Sequence, residues 1–122
     1  MERTMLKSKI HMATVTEANL EYFGSISIGP DMRAKADMIP FEKVDIYNCN
    51  NGQRFSTYVI ETDKEGEICL NGAAARLVEK GDKVIIASYA QYGEREASEL
   101  KPYLVFVDDK NSVKEVRREV PK

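Results

Sequence analysis

Gly24-Ser25 is the pair in this sequence with the most unusual chemistry open to it. A serine hydroxyl held against the preceding carbonyl can attack it and move the acyl group from nitrogen to oxygen. Glycine puts no Cβ in the way and permits strained backbone angles. The resulting ester can eliminate to dehydroalanine, which hydrolyses to a pyruvoyl group. The serine would become a ketone-bearing electrophile at a new chain end, able to take amines as imines and to act as an electron sink in the manner of pyridoxal phosphate. The commoner reading of a Gly-Ser pair is a turn or a tolerated strand position.

Three further groups carry chemistry. Arg54, Ser56 and Tyr58 alternate on one face of an expected strand, with Phe55, Thr57 and Val59 on the other. Arginine grips a carboxylate bidentately, and a tyrosine hydroxyl can deliver a proton. The plainer reading is a solvated strand end and an amphipathic wall residue. Asn71, Gly72, Ala73 and Ala74 put small residues at an expected helix start, where backbone N–H groups bind anions or simply meet a cap. Lys9 and His11 share a face of an early strand, and a lone histidine is more often a satisfied or surface residue than a catalyst.

Composition excludes more than it suggests. The 122 residues make one domain, with no room for a separate cofactor domain. One histidine and two cysteines, Cys49 and Cys69, do not supply a structural zinc site. No P-loop, G-x-G-x-x-G or G-x-S-x-G occurs. Eighteen basic and 20 acidic residues leave a net charge of −2, which argues against nucleic acid as a partner. No run of roughly 18 apolar residues predicts a membrane span. The opening MERTMLKSKIH lacks the apolar core of a secretory signal. Two unclustered cysteines fit a reducing, cytoplasmic setting, as packing or partly exposed thiols.

The elements that must position these residues read mostly as strands. Expected strands are 5–15, 22–28, 44–49, 54–62, 67–70, 83–90 and 103–107. Along 22–28, Tyr22, Gly24, Ile26 and Ile28 alternate with Phe23, Ser25 and Ser27. Asn50, Asn51 and Gly52 form a hairpin turn in which Asn-Gly supplies positive φ angles. Thr16 is expected to cap a helical turn through Leu20, Asn71 to cap a brief helix through Leu77, and Pro30-Asp31 to open a helix ending near Asp37. Val84 to Ala87 reads as a strand buried on both faces. Residues 92–101 read as loop or weak helix, and 110–122 as partly extended or frayed. Short strands separated by turns predict a small β-barrel whose interior is filled by side chains. A binding site would then lie on the rim or between subunits.

The sequence resembles the bacterial aspartate 1-decarboxylases, a pyruvoyl-enzyme family. The matching pieces are RTMLKSKIH at 3–11, VT at 15–16, YFGS at 22–25, IYNCNNGQRFSTY at 46–58, NGAAA at 71–75 and GDKVIIAS at 81–88. Each piece is weak alone; their order and spacing in a chain of this length are specific. The resemblance departs at Tyr47, where many relatives carry tryptophan, and at the turn 63–66, about one residue shorter. It is poor from Gln91 onward.

The resemblance implies a mainly β, double-psi β-barrel with short helices. It implies a homotetramer with sites between subunits and leaves room for an accessory maturation protein. Self-cleavage would fall between Gly24 and Ser25, giving a β chain of residues 1–24 and an α chain of residues 25–122. Ser25 would become the covalent pyruvoyl cofactor. Tyr58 matches the proton donor, and Thr57 a residue tied to processing and substrate contact. Gly72, Ala73 and Ala74 match the backbone that meets substrate, and Asn71 its neighbour. Lys9 and Arg54 match basic residues for the substrate carboxylates, and His11 a site residue. The implied reaction is decarboxylation of L-aspartate to β-alanine, for pantothenate synthesis. A non-enzymatic small barrel, or an uncleaved homologue, would instead keep an intact chain and no carbonyl.

Overall fold

Alternation of apolar with polar residues, broken by glycine- and asparagine-rich turns, produces a sheet more extensive than the sequence suggests. The computed structural model describes residues 1–21 and 24–119. Its strands are β1 (Glu2–Thr14), β2 (Glu17–Asn19), β3 (Ser25–Ile28), β4 (Lys43–Asn48), β5 (Arg54–Glu61), β6 (Ile68–Asn71), β7 (Lys83–Gly93), β8 (Tyr103–Val107) and β9 (Val113–Arg117). Helices α1 (Pro30–Lys35) and α2 (Glu94–Glu99) and a 3-10 helix (Gly72–Leu77) join them.

The strands run in the order β2-β6-β3-β5-β4-β7-β1-β8-β9. Three pairings are parallel: β1 with β8, β2 with β6 and β3 with β5. Parallel neighbours need long crossovers, and here helices and other strands supply them. The fold is mainly β and barrel-like, as expected. Among the described residues the two end strands do not pair with each other, so the barrel is open. Ile10, Ile26, Ile46, Leu70, Ile86 and Val105 fill its interior, all fully buried. Each such side chain contributes about 1.5–3 kcal/mol over exposure.

Several expectations change. The helical turn after Thr16 is strand β2 instead. The Thr16 hydroxyl donates to the Ile68 carbonyl and accepts from the Ile68 N–H, both at 3.0 Å, so it holds β6 rather than capping a helix. Asn71 precedes the 3-10 helix without capping it through its side chain. In the hairpin between β4 and β5, Gly52 has positive φ (78°) but Asn51 does not. Asn48 stabilises that longer loop by accepting the Asn50 N–H at 2.9 Å. Along β7, Ile86, Ala87 and Ser88 are buried in succession, so the strand is buried on both faces there as expected, and only Ile85 of the stretch 84–87 is half-buried. Residues Val113–Arg117 pair with β8 instead of fraying. Of the strand expected over 22–28, Tyr22 and Phe23 lie outside the described residues, as does Val120 near the C-terminus.

Asn111 binds distant turns together. It takes the left-handed conformation (φ 62°), which asparagine tolerates better than most residues, and it is buried. Its amide accepts from Thr14 N at 2.7 Å and donates to Thr14 O and Gly66 O at 2.8 Å each. Gly66 is required beside it, since a Cβ there would stand 2.8 Å from the Lys110 carbonyl oxygen. Asn111→Ala leaves these backbone groups unpaired and should cost about 2–4 kcal/mol. Chemical denaturation measures this, and a loss below about 0.5 kcal/mol, the level of an ordinary surface change, would contradict it.

Candidate active site

Ser25 is positioned by strand pairing. β3 runs antiparallel to β6, with Ser25 opposite Asn71 and Ser27 opposite Cys69. The alternation sends Ile26, Ile28, Ile68 and Leu70 into the core and leaves Ser25, Ser27, Cys69 and Asn71 together on the other face. Ser25 is fully buried there. The Asn71 amide donates to Ser25 Oγ at 3.0 Å and to Ser27 Oγ at 3.2 Å. Its carbonyl accepts from the Cys69 thiol at 3.2 Å. The residue expected as a helix cap thus spends its side chain on the serine. Among the described residues, a Cβ at Gly24 would meet the Asn71 backbone carbonyl oxygen at 4.0 Å, an ordinary contact.

The neighbouring strand supplies the next groups. β3 and β5 pair in parallel with Ile26 beside Val59. The pairing runs from there to Ile28 beside Glu61, so Ser25 and Tyr58 each stand one residue before its first pair. The Tyr58 ring lies at the surface, 36% exposed, and stacks on Phe41 with centroids 6.4 Å apart. Phe41 sits in a turn pinned by Glu42, whose carboxylate is 2.9 Å from the Lys7 ammonium and accepts from the Ser88 hydroxyl.

Arg54 lies four residues before Tyr58 on the same face, about 13 Å along the strand. Opposite it on β4 is Tyr47, whose ring carries the guanidinium at 4.0 Å from its centroid. The Tyr47 and Tyr89 hydroxyls hydrogen-bond at 2.7 Å. Burial, with that hydrogen bond and the nearby Asp45 carboxylate, pushes the Tyr47 phenol up to about 12, so it is neutral at ordinary pH.

Other expected residues are not gathered here. Lys9 and His11 lie on β1, and β4 and β7 stand between β1 and β5. His11 packs against Phe106 with ring centroids 5.5 Å apart. Its Nδ1 is buried without a hydrogen-bond partner among the described residues. Gly72 turns the chain at positive φ (62°) directly after Asn71; Ala73 is exposed and Ala74 buried. This 3-10 helix of six residues is short, and of its first three residues only Ala73 reaches the surface.

Sequence reasoning passed over Ser27, Cys69, Tyr89 and Phe41. The alternation over β3 and β6 carried a signal for the first two. The last two depend on long-range pairing and on a turn with positive φ at Phe41 (71°).

Comparison with known proteins supplies the class of this chain. A family model described as aspartate decarboxylase matches residues 1–114. The chain belongs to the aspartate decarboxylase family and is therefore a carboxy-lyase. It is 59% identical over 120 residues to the aspartate 1-decarboxylase of Hydrogenobaculum sp., covering 98% of this chain and 95% of that one. It is 60% identical over 116 residues to that of Syntrophus aciditrophicus, covering 93% and 99%. It is 57% identical over 119 residues to that of Bdellovibrio bacteriovorus, covering 98% and 95%. The match therefore runs well past Gln91, where the sequence resemblance was expected to fail. The C-terminal strands belong to the family pattern because β8 pairs with β1 and forms part of the same sheet.

Burial first, and then the positive charge of Lys9, lowers the His11 pKa below 6.5. The folded chain resists this proton, so the contribution of His11 to stability holds above pH 6.5 and is lost as the pH falls below it towards the folded pKa. As His11 is the chain's one histidine, NMR should show a single imidazole titration with a midpoint below 6.5. A midpoint above 6.5 would contradict the assigned burial.

Proposed function

We propose that this protein decarboxylates L-aspartate to β-alanine and CO2, supplying pantothenate synthesis in the cytoplasm, after converting its own Ser25 into a pyruvoyl group. The observation that carries this reading is the buried Asn71–Ser25 contact, at 3.0 Å, on a strand that is also paired with the one bearing Thr57 and Tyr58. Similarity to relatives named aspartate 1-decarboxylase supports the substrate.

The residues present fit the formation of such a group. Ser25 Oγ attacks the Gly24 carbonyl carbon, the peptide C–N bond breaks, and an ester joins the two residues. Elimination releases the Gly24 carboxylate and leaves dehydroalanine at position 25. Water then replaces the nitrogen, which departs as ammonia. A residue without a side chain at 24 leaves the carbonyl open to attack. Asn71 holds Ser25 Oγ in place, and Thr57 lies on β5, the strand paired with β3.

Once made, the pyruvoyl group supplies a ketone that captures the substrate amine and accepts the electron pair left when CO2 departs. The chain's own residues do the rest. Arg54, steadied on Tyr47, grips a substrate carboxylate through its guanidinium fork. The Tyr58 hydroxyl holds the proton that returns to the carbon losing CO2. Gly72, Ala73 and Ala74 present backbone to the substrate. Lys9 and His11, separated from β5 by two strands, complete the basic lining from another copy in a homotetramer.

Intact-mass measurement of the purified protein tests the reading. Residues 1–24 and 25–122 should appear as separate pieces, the larger reacting with a carbonyl reagent. Ser25→Ala should stay whole and inactive. A cleaved Ser25→Ala chain, or an active chain without carbonyl, would refute the pyruvoyl assignment. Tyr58→Phe should still cleave while turnover falls about 10²-fold or more, in the range of a lost general acid; unchanged turnover would remove Tyr58 from its role.

A further inference from the structure

The Asn71 side chain is an amide with two unlike ends, and which end meets Ser25 decides the hydrogen bonding of the processing hydroxyl. If N–H faces Ser25, the serine oxygen accepts and its own hydrogen is not spent on Asn71. If the carbonyl faces Ser25, the serine hydrogen is committed to Asn71. Ser25 and Ser27 do not settle the matter, because hydroxyls both donate and accept. The third neighbour does. A thiol is a weak donor, yet its S–H is the one hydrogen it can share with the amide, and only the carbonyl end can take it.

We propose that Cys69 is a positioning residue for self-cleavage, its S–H fixing the Asn71 amide so that the N–H end faces Ser25. The sulfur lies 3.2 Å from Asn71 Oδ1, against 4.0 Å from its alternative acceptor, the Leu70 carbonyl. Cys69 is buried. Its position on β6, two residues before Asn71 and opposite Ser27, is set by the same register that places Ser25. Burial, reinforced by the negative charges of Glu17 and Glu67, raises the Cys69 thiol to about 11, so the proton it donates is retained at neutral pH. The consequence for chemistry is direct. With Asn71 donating, the Ser25 hydrogen can leave toward another acceptor while its oxygen lone pair attacks the Gly24 carbonyl.

This assignment rests on the reading of Ser25 as a self-processing serine, and one time course separates the two. The full-length chain, Cys69→Ser and Cys69→Val are purified early after synthesis and incubated, with uncut chain followed by intact mass. Serine restores a donor and valine restores only bulk. Cys69→Ser should cut within about threefold of the parent rate, and Cys69→Val at least tenfold more slowly, with both folded by circular dichroism. Decarboxylation per carbonyl-reactive chain should be equal in all three, because Cys69 serves the cleavage and not the turnover. Valine cutting at the parent rate, or serine as slow as valine, would overturn the role of Cys69. A parent that never cuts would overturn the reading of Ser25 along with it. Should Cys69→Val not fold, Cys69→Ala takes its place with the same expectations.

Discussion

The pairing of β3 with β6 is the constraint on which the remaining chemistry depends. It is a short contact, four residues on each strand, yet it sets which face of each strand is apolar. A slip of β3 by one residue would send Ser25 and Ser27 into the core and Ile26 and Ile28 out. Burying two hydroxyls without partners would cost several kcal/mol, so the register is enforced by what it would otherwise bury. The Asn71 amide then uses the same register to tie the two serines across strands, at 3.0 and 3.2 Å. Stability and proposed chemistry thus draw on one arrangement. A fully buried hydroxyl has a fixed set of neighbours, and a fixed set of neighbours is what an intrachain attack requires.

From that pair the sheet distributes the rest by distance. β5 is the immediate neighbour of β3, so backbone pairing brings the strand that bears Thr57 and Tyr58 to the strand that begins at Ser25. Arg54 stays on the same strand but further along, where it is held by a tyrosine ring instead of by a carboxylate. A guanidinium on an aromatic face keeps its hydrogen-bonding edge open. A guanidinium already in an ion pair would have to give up that partner first. Lys9 and His11 are on the far side of β4 and β7. Within one chain the sheet therefore divides the basic residues into two groups, and the proposed oligomer is the means of joining them.

The legible part of this fold was its local chemistry. Polar and apolar alternation gave the strands, the Asn-Asn-Gly stretch gave the hairpin, and Pro30-Asp31 gave a helix start, because each rests on residues near one another in sequence. Thr16 and Asn71 were misjudged for a common reason. Both carry side chains suited to capping, and both are instead taken by partners far away, Ile68 and Ser25. A cap competes with every other hydrogen bond the side chain can reach, and sequence shows just the near ones. Arg54, Ser56 and Tyr58 were readable as a face, whereas the Tyr47 shelf beneath Arg54 needed the hairpin register to appear.

The tyrosine at 47 shows how a departure from the family pattern is absorbed physically. An indole in its place would also offer a π face to Arg54, but its donor N–H cannot accept a hydrogen bond. A phenol can both donate and accept, and here its hydroxyl meets Tyr89 at 2.7 Å, with Asp45 further off at 3.4 Å. Asp45 in turn accepts from Ser56 at 2.7 Å, on the strand that bears Arg54 and Tyr58. The shelf is therefore braced through hydrogen bonds to β4, β5 and β7 together. Bracing of this kind fixes where the ring lies, and so fixes where the guanidinium resting on it can point. What Arg54 rests on is a flat, electron-rich face with an anchored edge, and the anchor is supplied by the residues around it.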